Sequence, residues 1–64
     1  MAKKHIDYTV NYTKDNGNTA VADVLMDGKV DVSINTPDNV TVIRHFDNVD
    51  DMQNEMKSMG YNAA

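Results

Sequence analysis

Three short stretches constrain this chain more than anything else in it: Asp15-Asn16-Gly17, Met26-Asp27-Gly28 and Pro37-Asp38-Asn39. Each ends in Gly or Asn, the residues that enter left-handed backbone at least cost. A three-residue hairpin loop needs that conformation at its third position, where a type I turn passes into a G1 bulge. The segments between these stretches alternate. Ile6, Tyr8, Val10 and Tyr12 share one face of the first, against Asp7, Thr9 and Asn11 on the other. Val30, Val32 and Ile34 line up in the third segment, and Val40, Val42 and Phe46 in the fourth, with Arg44 intruding among them, either to snorkel past Phe46 to solvent or to reach Glu55 or Asp51 on the following helix. Period two with β-branched and aromatic residues predicts half-buried strands. The second segment, residues 19–26, is ambiguous: either Ala20, Ala22 and Val24 point inward, or Val21 and Leu25 do.

The turns resolve that ambiguity. Reading Asn16-Gly17 and Asp27-Gly28 as two-residue type I′ turns would pair Val10 with Asp23 and drive a carboxylate into the core. A one-residue slip flips every side chain to the other face, so the two readings exclude each other. The three-residue reading keeps all inward strand residues even-numbered. It pairs Tyr12 with Ala20, Ala20 with Ile34, and Ile34 with Val42.

After the last strand the period changes. Val49, Met52, Met56 and Met59 follow helical spacing on one face. Asp47 or Asn48 supplies the N-cap, and Asp50 and Asp51 meet the positive end of the dipole. Gly60 is placed to close the helix in a Schellman motif, with Tyr61 folding back on Met56. A helix of about twelve residues is marginal alone and must dock. Small Ala20 and Ala22 leave room for its methionines. The expected fold is α+β: a four-stranded antiparallel β-meander with one C-terminal α-helix packed on one face.

With 64 residues, the chain is read as a single domain over 1–64, with 1–4 and 62–64 expected to fray. So small a domain buries only about 60% of its unfolded surface. Without cysteine it has neither a disulfide nor a thiolate zinc staple, and the core must hold the fold. The opening Met1–Val10 carries charge but no apolar h-region, and no apolar run is long enough to span a bilayer. A soluble, cytoplasmic protein without a membrane partner is expected. Ten Asp and Glu against six Lys and Arg give a net charge of −4. That repels phosphate backbones and favours a basic protein partner. Tyr8, Tyr12 and Phe46 are assigned to the helix-covered face, so the aromatics a single-stranded nucleic acid would stack on are withheld.

The odd-numbered residues then form the open face of the sheet. One row reads Thr9, Asp23, Asp31 and His45; the next reads Asn11, Val21, Ser33 and Ile43, with Leu25 near Lys29 and Asp7. Asp23 opposite Asp31 is a like-charge pair, which costs stability. Sequences keep such costs most readily where something binds. Val21 and Ile43, with Leu25 beside them, add an apolar centre rimmed by Asp7, Asp23, Asp31 and His45, the composition of an interface. Catalysis by His45, oriented by Asp31, lacks a nucleophile, since Ser33 lies a row away. There is no Gly-rich phosphate loop. No enzyme activity and no cofactor are expected.

The expected function is a non-enzymatic protein-binding module that uses Asp23, Asp31, His45, Val21 and Ile43. Size, acidity and the lack of a catalytic motif are similar to those of small phage-encoded inhibitor proteins, which cover a host enzyme's site. That resemblance is one of class and carries no residues over. Two alternatives stand beside it. One is a self-associating structural protein, a homodimer through a sheet edge or the open face. The other is a weak divalent-metal binder using His45, Asp23 and Asp31 on a flat sheet that offers little cavity.

Overall fold

A computed structural model describes residues 5–64, so the expectation for residues 1–4 lies outside the described residues. Four strands, β1 (Ile6–Thr13), β2 (Thr19–Leu25), β3 (Val30–Asn35) and β4 (Thr41–Phe46), are followed by helix α1 (Val49–Ser58) and a short strand β5 (Asn62–Ala63). They form one antiparallel sheet in the order β4-β3-β2-β1-β5.

The three turns share one hydrogen-bond pattern. Gly17 N–H donates to Lys14 O, Gly28 N–H to Leu25 O, and Asn39 N–H to Thr36 O. The flanking bonds are Lys14 N–H to Asn18 O, Leu25 N–H to Lys29 O and Thr36 N–H to Val40 O. The third loop residues, Gly17, Gly28 and Asn39, all have positive φ. Asn39, at φ 65, is the one non-glycine residue described there, and a short polar side chain is what tolerates that region. This geometry sets the register. Tyr12 faces Ala20, Ala20 faces Ile34 and Ile34 faces Val42, as the turn chemistry predicts.

Even-numbered residues accordingly form the core. Tyr12, Ala20, Ala22, Val24, Val30, Val32 and Ile34 are buried from the sheet, and Met52, Met56 and Tyr61 close over them. Fully burying a methionine side chain contributes about 1.5–3 kcal/mol, and both Met52 and Met56 are fully buried. The Tyr12 hydroxyl donates to Met52 Sδ at 3.5 Å. Burial, with a smaller push from Tyr8, raises the Tyr12 phenol above its ordinary pKa.

Asn48, not Asp47, caps α1, its side-chain oxygen accepting from Asp51 N–H at 2.8 Å. At the far end Gly60 N–H donates to Lys57 O and Tyr61 N–H to Met56 O, the two bonds of a Schellman motif. Gly60 has φ +89. Tyr61 is then held from the first hairpin: Asn18 Nδ2 donates to its hydroxyl at 3.3 Å, and Lys14 Nζ lies 5.4 Å from its ring centre.

Four expectations need correction. Residues 62–64 are paired: Asn62 and Ala63 sit opposite Thr13 and Tyr12, and Ala64 N–H donates to Asn11 O. The sheet therefore has a fifth strand, and β1 is an edge only over its first half among the described residues. A register shift between Ile6 and Tyr8 places Ile6 opposite Leu25, out of the inner row, and 51% exposed. The ten-residue helix does not reach across the whole face. Tyr8 at one corner, Val40 just before β4 and Val42 on it stay open, at 47%, 53% and 44%. Finally, of the two readings of Arg44, snorkelling past Phe46 to solvent or reaching Glu55 or Asp51, the salt bridge is not made: Arg44 is exposed, with no hydrogen bond or ion pair among the described residues.

Candidate binding face of the sheet

The helix covers one side of a single-layer sheet, which leaves the odd-numbered side open. Both rows expected there are present. Thr9 pairs with Asp23, Asp23 with Asp31, and Asp31 with His45. Asn11 pairs with Val21, Val21 with Ser33, and Ser33 with Ile43. All five candidate residues, Asp23, Asp31, His45, Val21 and Ile43, thus share one face. Leu25 flanks them and bonds to Lys29, as expected, while the shift at Asp7 brings Ile6 opposite it.

Two neighbouring strands hold Asp23 and Asp31 directly across from each other, about 5 Å apart at Cα. His45 answers one of them: its Nδ1 lies 2.6 Å from Asp31 Oδ1, with the imidazole 68% exposed and the Asp31 side chain 20% exposed. Asp23 is different. It is half-buried and makes no hydrogen bond or ion pair among the described residues. Beside this charge, Val21 and Leu25 are half-buried and Ile43 is exposed. The face therefore presents an unanswered carboxylate, an imidazole–carboxylate pair and a small apolar strip.

Ser33 sits opposite Ile43 in the next row and makes no hydrogen bond to His45. Among the described residues no three His, Asp or Glu side chains converge as a metal-binding group. Asp23, Asp31 and His45 are strung along a row rather than gathered around a point. On the opposite face Tyr12 is buried, while Tyr8, expected to be covered, is exposed.

Arg44 is the residue whose role the sequence did not reveal. It points from the inner side of β4, between Val42 and Phe46, with no partner among the described residues. Its intrusion into an apolar alternation was the available signal. Among the described residues no helix is long and apolar enough to cross a membrane. Compared with protein-family models, with curated proteins and with solved structures, the chain has no match.

Proposed function

We propose that this chain is a small acidic protein-binding module, without enzymatic activity, whose open sheet face contacts a partner protein. The observation that carries this reading is Asp23. A half-buried carboxylate set opposite a second carboxylate, without a partner of its own among the described residues, costs the free protein stability. A cationic side chain delivered by a partner would offset that cost. Val21 and Ile43 would supply the apolar centre of the contact, and Asp31 and His45 its polar rim. A partner offering Lys or Arg beside an apolar group fits this face. The module would act sterically, by covering the surface it binds, in the manner of small phage-encoded inhibitors.

The test is capture from a lysate of the source organism or its host, with the tagged chain beside an Asp23→Lys/Asp31→Lys/Ile43→Ser variant shown to be folded by circular dichroism. A protein retained by the parent and lost by the variant identifies the partner and supports the face. Equal retention by both moves the contact to the helix or an edge. Retention of nothing by the parent counts against the module itself.

A further inference from the structure

We infer that β4 is a self-pairing edge, through which two copies of the chain join antiparallel across a two-fold axis at Ile43. β4 is the outermost strand of the sheet, and no described residue pairs with its far side. The opposite edge is treated differently, because β5 covers the second half of β1. Of the usual guards of a free edge, β4 carries a single charged side chain, Arg44, on its inner side. It contains no Pro and no Lys, and its register against β3 runs without a bulge.

The backbone says which groups are on offer. In a strand, successive residues turn their N–H and C=O to opposite sides. Val40 O accepts from Thr36 N–H across the third turn, so the even-numbered residues of β4 address β3. Thr41, Ile43 and His45 therefore turn their N–H and C=O groups outward. Centring the axis on Ile43 uses all three: Ile43 exchanges bonds with its own counterpart, and each Thr41 exchanges bonds with the other copy's His45. Centring on Val42 leaves His45 beyond the pairing. Centring on Arg44 sets guanidinium directly against guanidinium, a like-charge opposition that costs stability.

Charge argues for a second copy as the occupant. The chain carries −4, yet β4 has no carboxylate, whereas β1, β2, β3 and α1 each have at least one. Two acidic copies that meet along β4 bring no strand carboxylates against each other. In the Ile43-centred register Val42, now 44% exposed, packs on the aliphatic stem of the facing Arg44. Ile43, 53% exposed, packs on its counterpart. The row Val21–Ser33–Ile43 then runs on into the second copy as one continuous strip.

Sedimentation equilibrium from micromolar to millimolar chain, with amide hydrogen exchange at both ends of that range, tests this. The expected result is a doubling of mass, with the Thr41, Ile43 and His45 amides becoming protected as it occurs. Ile43→Pro removes one outward N–H without touching a bond to β3, and is expected to stay monomeric where the parent is paired. Ile43→Lys, with two ammonium groups facing across the axis, gives the same loss should the proline variant fail to fold. A parent that stays monomeric at millimolar concentration overturns the inference. So does a dimer that persists in folded Ile43→Lys, or one that protects amides elsewhere.

Discussion

Asp23 is where stability and binding pull in opposite directions. Replacing it by threonine removes the repulsion with Asp31 and installs a residue that suits a pleated surface. Asp23→Thr is expected to raise the unfolding free energy by about 0.5–1 kcal/mol in urea titration, while weakening retention of the partner. A fall in stability would show that the carboxylate is not a cost and would remove the motive for reading it as a binding group. Other residues differ in how openly the sequence declared them. Asn48 and Gly60 act where cap chemistry places them, because their roles depend on local backbone alone. Ile6 does not follow its pattern. Nothing in residues 5–8 marks the register shift that carries it out of the inner row. For Arg44, strand alternation gives its side of the sheet but not where along that side the helix lies, so the sequence does not choose between solvent and a helix carboxylate.

At the scale of elements, the turns did most to make the fold legible. Three loops ending in Gly, Gly and Asn leave one register that keeps Asp23 out of the core, and that register generates the candidate face as well as the core. The helix end works in the same local way. Gly60 at φ +89 lets α1 reverse so that Tyr61 returns to the core. An added Cβ would meet Lys14 Cε at 3.7 Å, an ordinary contact, so the cost of a substitution there is backbone strain. Gly60→Ala is expected to lower stability by about 1–2 kcal/mol, with Gly60→Asn losing less because asparagine tolerates the left-handed region. Urea midpoints for the two variants and the parent check this order. Equal midpoints would mean that the helix ends without needing the left-handed residue.

The whole molecule closes on itself through its last residues, and this the sequence hid. Asn-Ala-Ala has neither alternation nor β-propensity. Its pairing with β1 follows from where the Schellman reversal aims the chain, which is a property of the assembled fold rather than of residues 62–64. That pairing leaves β4 as the sheet's one edge uncovered along its full length among the described residues. One such edge lets association stop at a closed pair; a second lets it continue. Deleting Asn62–Ala64 removes the bonds to β1 and the Ala64 N–H bond to Asn11 O. At about 0.5–1.5 kcal/mol net per hydrogen bond, the truncated chain is expected to unfold at measurably lower urea. The newly bare half of β1 is also expected to carry association past the dimer, seen as light-scattering mass that keeps rising with concentration. Adding Ile43→Pro to the truncation closes one of its two edges and should return growth to a pair. A truncated chain that matches the parent in both urea midpoint and mass would show that β5 neither holds the fold nor shields its edge.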